Sequence, residues 1–141
     1  LANDGSLPPT VVLEHPTPAQ PQLTLQFVQS NREITALAMQ NLGRGARQAL
    51  QQAGIGTDDL AWVLPHQPNG VMLQRIGELL GISQERMVPV VGEIGSVVSA
   101  SIPVSLDRLF RSGKLRPGDR LLMAGVGSGV SYGAVVLQVG G

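Results

Sequence analysis

Three stretches carry side chains whose type and surroundings could do chemistry. The first is Trp62-Val63-Leu64-Pro65-His66-Gln67-Pro68-Asn69, where one histidine follows an apolar run and precedes a helical pattern. A residue just past the carboxyl end of a buried strand stands where open α/β sheets place their sites. The helix start that follows disfavours an imidazolium, so a neutral His66 is expected, able to donate a hydrogen bond or to accept a proton. Spacing alone identifies no partner acid or nucleophile, so a structural histidine is the equal alternative. The second stretch is Gly92-Glu93-Ile94-Gly95-Ser96 before Val97-Val98-Ser99-Ala100-Ser101-Ile102-Pro103. Small residues opening a helix offer backbone N–H groups to an anion or oxyanion, or let the helix pack tightly. The third runs from Gly125 to Gly133. Its G-x-S-x-G match at residues 129–133 would make Ser131 a hydrolase nucleophile, but that motif needs a following helix and downstream Asp and His, and here a strand pattern follows. Val130 also breaks a G-x-G-x-x-G fingerprint. A glycine-rich loop beside a site, or a wide hairpin loop, remains. His15, Ser99 and Ser101 are read as structural, packing or capping residues.

The elements that must position these stretches follow from periodicity. Residues 1–29 hold five of the ten prolines, with one short β-like run at residues 10–14, and read as an irregular opening segment. Asn31 is the expected N-cap of a helix in which Ile34, Leu37, Ala38, Leu42, Ala46, Ala49 and Leu50 recur at three- and four-residue steps until Gly54. Gly43 and Gly45 weaken that helix or admit a close neighbour. Residues 60–64 read as a buried strand ending at Pro65, and Pro68-Asn69 opens an amphipathic helix ending at Gly81. Residues 87–91 read as a second short strand, and residues 92–96 as a loop into a helix of small residues over 97–113. Arg116-Pro117-Gly118-Asp119 is a turn. Residues 120–124 and 134–139 read as terminal strands forming an antiparallel hairpin. The fold class is α/β, a mixed sheet flanked by helices, in a single domain over 1–141 whose core is 30–141.

Composition narrows the function classes. The chain has 141 residues, ten acidic and ten basic side chains and no cysteine. Its nine arginines and one lysine are scattered, without the continuous basic face that nucleic acid requires. With no cysteine and two histidines far apart, disulfides, thiol nucleophiles and cysteine or histidine metal clusters within the chain are excluded. No stretch reaches the roughly 18 apolar residues of a membrane span, and no signal-peptide layout opens the chain, so a cytoplasmic protein without nucleic-acid or membrane partners is expected. The first residue is Leu1, not Met, which suggests a processed chain or part of a longer one.

Taken in order, the three stretches resemble the C-terminal half of 3-oxoacyl-(acyl carrier protein) synthase III, a condensing enzyme of the thiolase superfamily. Asp4-Gly5-Ser6 resembles the segment following the family's first half, and residues 60–69 resemble its strand and P-H-Q-x-N motif. Leu80-Gly81-Ile82 with Met87-Val88 resembles the next helix and strand. Residues 95–107 resemble the G-N-T-x-A-A-S-x-P-x-x-L-D helix start, and residues 127–133 the G-G-G-x-T-W-G loop. The resemblance implies the C-terminal half of a thiolase-like fold and no cofactor beyond acyl-CoA or acyl carrier protein as substrates. It implies an acylated cysteine in the N-terminal half, with a His and an Asn from this half assisting decarboxylation of malonyl-carrier protein and stabilising the enolate and oxyanion.

Residue by residue, His66 matches the family's catalytic histidine, whereas Ser96 stands in the place of its asparagine. A hydroxyl donates one hydrogen bond and cannot reproduce a carboxamide. Val71 stands where the family has a carrier-facing Arg, with Arg75 one turn later on the same face. Substrate contacts are implied at Gln67, Asn69, Arg75, Gly127, Ser128 and Gly129. The expected function is therefore acyl-thioester transfer of the synthase III type, condensing an acyl-CoA with malonyl-carrier protein in fatty acid or polyketide synthesis. Ser96 favours an alternative, transfer to a hydroxyl or amine without decarboxylation. A third alternative is a non-catalytic subunit of a heteromeric condensing enzyme. Expected partners are acyl-CoA, acyl carrier protein, the N-terminal half of the same protein and a second copy in a homodimer, the apolar faces of an isolated half requiring cover.

Overall fold

The longest element is a helix, α1 (Asn31–Ala53), and its buried positions Leu42, Ala46, Ala49 and Leu50 follow the helical repeat anticipated above. The computed structural model describes residues 1–3, 5 and 11–140; Asp4 and Ser6 of the resembling segment, two of the five early prolines (Pro8 and Pro9) and the first residue of the β-like run (Thr10) lie outside them. The cap of α1 is Ser30, not Asn31. Ser30 Oγ accepts from Glu33 N (3.3 Å), and the Glu33 carboxylate accepts in return from Ser30 N (3.0 Å), a reciprocal pair that Asn31 cannot form with Glu33 two residues on. Gly54 ends the helix at φ 67°, where a side chain would strain the backbone.

Two stretches of the opening segment are regular. Strand β1 (Ala2–Asn3) pairs antiparallel with Ser131 and Tyr132, and β2 (Val11–Glu14) pairs antiparallel with β3 (Thr24–Phe27) as a separate hairpin. Prolines 16, 18 and 21 fall in the connection between β2 and β3, where no ladder donor is lost.

Strand β4 (Trp62–Pro65) runs parallel to β5 (Arg120–Gly127), with Trp62 opposite Leu121 and Pro65 opposite Ala124; β5 turns back antiparallel into β6 (Ser131–Gln138). The main sheet has the order β1-β6-β5-β4. The terminal hairpin is longer than expected from residues 120–124 and 134–139. Glycines 125, 127 and 133 keep their ladder hydrogen bonds although they lack side chains, so only residues 128–130 remain as loop.

Alternation along the strands divides the core. Val63 and Leu122 pack with Leu42 and Ala46 of α1 and with Ile76 of α2 (Gly70–Leu80), while Leu64 and Leu121 pack with Val88 and with Leu109 of α4 (Ser101–Arg111). The sheet therefore has helices on both sides, as the α/β reading requires. Truncating a fully enclosed leucine here, such as Leu64 to alanine, falls in the class that costs about 2–5 kcal/mol. Among the described residues no helix is long and apolar enough to cross a membrane.

Residues 87–91 are not a strand. Only Met87 bridges Val63, and the next backbone groups are taken by a side chain described below. A short helical turn, α3 (Val91–Ile94), follows, and a 3-10 turn (Val98–Ala100) precedes α4, so the helix expected from Val97 begins at Ser101.

Gly43 and Gly45 do admit close neighbours. A Cβ at Gly43 would lie 2.9 Å from Leu79 of α2, and one at Gly45 would lie 3.2 Å from the Tyr132 ring on β6. Gly45→Leu should therefore lower unfolding stability by about 1–3 kcal/mol through overpacking of α1 on β6. Arg44→Leu, one residue away on the exposed side, should stay within about 0.5 kcal/mol; urea denaturation of both variants checks the contrast.

Candidate active site

His66 occupies the corner between β4 and α2, immediately beyond the strand's carboxyl end. Its amide donates to Ala124 O (2.8 Å), continuing the β4–β5 ladder one step past the last strand residue. Asn69 then caps α2, its side chain accepting from Met72 N at 2.8 Å, and it lies outside the cavity lining. Between them, Gln67 is 0% exposed and has both polar atoms of its side chain engaged. Its Nε2 donates to Val88 O (2.9 Å) and Ser105 Oγ (3.0 Å), and its Oε1 accepts from Val90 N (2.9 Å) and Val91 N (3.2 Å). With no exposed surface and no spare hydrogen bond, Gln67 cannot contact substrate as expected from the motif. It supplies the partners that a neighbouring strand would give residues 88–91, which is why that segment need not pair as a strand.

The histidine opens into a cavity of about 520 Å³, lined on the helix side by Ile34, Leu37, Ala38 and Met72 and on the loop side by Val126, Gly127, Ser128 and Val130. His66 Nδ1 lies 3.0 Å from Ser101 Oγ, which also receives the Gln67 amide (3.3 Å) and donates to Val98 O (2.9 Å). Burial holds the His66 pKa below the ordinary imidazole value, with the Val98 carbonyl opposing the shift. A neutral ring was anticipated from the helix start of α2; the larger cause here is desolvation. Among the described residues, no other lining side chain is charged, and no cluster of His, Asp or Glu is arranged to hold a metal ion.

The remaining sequence candidates separate. Gly127 and Ser128 line the cavity, but Gly129 does not; its φ of 131° serves the hairpin loop. Ser96 is exposed and lies outside the cavity lining, following Gly95, whose φ of 74° ends α3. The tight packing considered for Gly92 and Gly95 is also absent, since nothing lies within 4 Å of a Cβ at either. Arg75 stands on the exposed side of α2 with Val71 and lies outside the cavity lining. Ser99, Ser101 and Val98 line the cavity and had no role in the sequence reading. The one signal for Ser101 was its i,i+4 spacing from Ser105, which places both hydroxyls on one face of α4.

Two outcomes follow from this geometry. Gln67→Leu keeps the volume but orphans buried backbone and hydroxyl groups, so unfolding stability should drop by about 2–4 kcal/mol in denaturant titration. Because the folded His66 pKa is below 6.5, the unfolded chain binds more protons as pH falls from 6.5 towards the native value. Stability should therefore decrease on acidification across that window, and His66→Gln should flatten this part of the pH–Tm curve.

Residues 50–139 match the family described as 3-oxoacyl-[acyl-carrier-protein (ACP)] synthase III C terminal. Over 111 residues the chain is 37% identical to beta-ketoacyl-[acyl-carrier-protein] synthase III 3 of Streptomyces coelicolor, covering 79% of this chain and 33% of that protein. Among solved structures, 3-oxoacyl-(acyl carrier protein) synthase III from Pseudomonas aeruginosa superposes with a TM-score of 0.84 at 27% identity, over 99% of this chain and 43% of that one. The Thermus thermophilus enzyme gives 0.85 at 27% identity, over 99% and 44%. The chain thus spans about a third of the length of the curated relatives it matches. With its mixed sheet, its cavity histidine and these matches together, the chain belongs to the 3-oxoacyl-(acyl carrier protein) synthase III family, corresponding to the C-terminal part of its thiolase-like fold.

Proposed function

We propose that this chain is the histidine-bearing part of an acyl-thioester transferase. The observation that carries the reading is His66 at the carboxyl end of β4, its pKa held below the ordinary imidazole value by burial, opening into an apolar cavity wide enough for an acyl chain. The chain contains no cysteine, so the acyl group is held by a thiol outside it, in the N-terminal half of the same protein. The family reading is condensation of an acyl-CoA with malonyl-acyl carrier protein in fatty acid or polyketide synthesis. In that reaction His66 steadies charge developing on the thioester and enolate oxygens. A second reading, acyl transfer to a hydroxyl or amine without decarboxylation, is favoured by Ser96, which neither supplies a carboxamide nor lines the cavity. In both readings acyl-CoA and acyl carrier protein are the donors.

The surface supports a partner on the side of the sheet opposite α1. Phe110 is 73% exposed, and with Leu106, Leu115, Leu137 and Val139 it borders a second apolar depression between α4 and β6. Covering such a face is the role assigned to the N-terminal half, with a homodimer completing the assembly.

Intact-mass measurement of the natural gene product, incubated with a series of acyl-CoA donors, should show an acyl adduct on a cysteine outside this chain. His66→Ala should then lower acceptor-dependent turnover at least about a hundredfold while the far-ultraviolet circular dichroism is unchanged. No adduct with any donor, or full turnover in the variant, would overturn the proposal. Carbon dioxide release from malonyl-carrier protein separates condensation from simple transfer.

A further inference from the structure

The cavity that receives His66 has an apolar neighbour. A second cavity, of about 480 Å³, lies along β5 and β6, and the two share Ile102, Gly125, Val126 and Gly127 as a common wall. Its floor follows from the alternation of the hairpin. Met123, Gly125 and Gly127 project to the face of the sheet on which Leu121 meets α4, and opposite them stand Val135, Gly133 and Ser131. The glycine pair at 125 and 133 leaves a trough on that face, because no side chain rises from either strand. Beyond its adjoining residues, a Cβ at Gly125 would meet only Ile102 Cδ1, at 3.6 Å, and one at Gly127 would meet nothing within 4 Å. Ile102, the second residue of α4, is therefore the side chain that stands over the trough between the two cavities. It falls at an open position of the motif that residues 95–107 resemble, next to Ser101, which contacts His66. We infer that Ile102 is a specificity-determining residue, whose side chain divides the His66 cavity from the glycine-floored trough and so sets the length of acyl chain that the site accepts.

This inference rests on the transferase reading and adds the residue that selects its substrate. His66 lines the first cavity and not the second, so a chain with its thioester near the imidazole fills the first cavity before it reaches the trough. No side chain lining the trough is charged, and Met123, Val135 and Ile102 border it, a lining that suits methylene and methyl groups. Each methylene buried beyond Ile102 would favour binding about fourfold. A methylene pressed against Ile102 gains nothing and forces the wall to move. Isoleucine is suited to be such a stop, since its branched Cβ holds χ1 stiffly in a helix. The consequence is a cut-off in chain length.

The test uses the natural gene product with straight-chain acyl-CoA donors from acetyl to dodecanoyl. S-alkyl-CoA thioethers of the same lengths serve as ligands that cannot be turned over. In the unsubstituted protein, kcat/KM and thioether affinity should rise about fourfold per added methylene up to one length and then fall. Ile102→Ala should move that limit to longer chains, raising kcat/KM for the first excluded chain at least about tenfold, and Ile102→Phe should move it to shorter chains. Turnover of acetyl-CoA, which does not reach the wall, should change less than about threefold in both. Met123→Phe narrows the trough alone, so it should leave the original limit in place and cancel the gain made by Ile102→Ala. Coincident limits in the unsubstituted protein, Ile102→Ala and Ile102→Phe, with unchanged far-ultraviolet circular dichroism, would overturn the inference. A gain in Ile102→Ala that survives Met123→Phe would overturn it as well. Thioether affinities that follow residue 102 while no donor leaves an acyl adduct would instead overturn the transferase reading and leave the division between the cavities standing.

Discussion

The arrangement around the site depends on the side chain of Gln67. A carboxamide with no exposed surface must have its hydrogen bonds filled by protein, and each one left open would cost about 1–3 kcal/mol. Its four bonds reach Val88, Val90 and Val91 on one segment and Ser105 on α4, while its own amide reaches Ser101. One residue thereby ties the β4–α2 corner to the segment before α3 and to the first turns of α4. His66, bonded through the preceding amide to Ala124, is held between two fixed points before its ring makes any contact. The placement of the ring is thus built into the backbone beside it.

The same corner sets the electrostatics. The walls around the imidazole are largely apolar, so burial disfavours the charged ring and lowers its pKa, with the Val98 carbonyl opposing the shift. A neutral imidazole donates with one nitrogen and accepts with the other, and its surroundings decide which nitrogen faces the substrate. Ser101 Oγ lies against Nδ1, and Ser101 and Val98 both border the cavity into which the histidine opens. Ser96 stands on the exposed stretch after α3 and lies outside the cavity lining.

The sheet is finished on one side and open on the other. Against α1, Gly45 lets the helix approach the Tyr132 ring closely, and the interface is closed. Opposite, α4 reaches β4 and β5 but leaves Val135 and Leu137 of β6 exposed at 50% and 44%, beside an exposed Phe110. These positions form an apolar face that no described residue covers.

Much of the fold was legible in the chain. The three- and four-residue repeat of α1 and α2, their glycine C-caps and the apolar run of β4 are local features, and local features decide helix limits and a buried strand. His66 was legible for the same reason, since the end of an apolar run and the start of an amphipathic helix bracket it. Residues 87–91 misled because their apolar pattern suits a strand, whereas a glutamine more than twenty residues earlier takes their hydrogen bonds. The glycine stretch misled because ladder pairing needs backbone groups and a partner in register, and the partner is non-local. Gln67 read as a substrate contact, but burial made it a clamp, and Asn69 is the cap of α2. Sequence by itself determined which elements form and which histidine stands at the sheet's end. Only the tertiary structure decided that Ser101, thirty-five positions away, meets its ring. A 3 Å hydrogen bond between distant residues depends on how β4 and α4 pack, which no local pattern encodes.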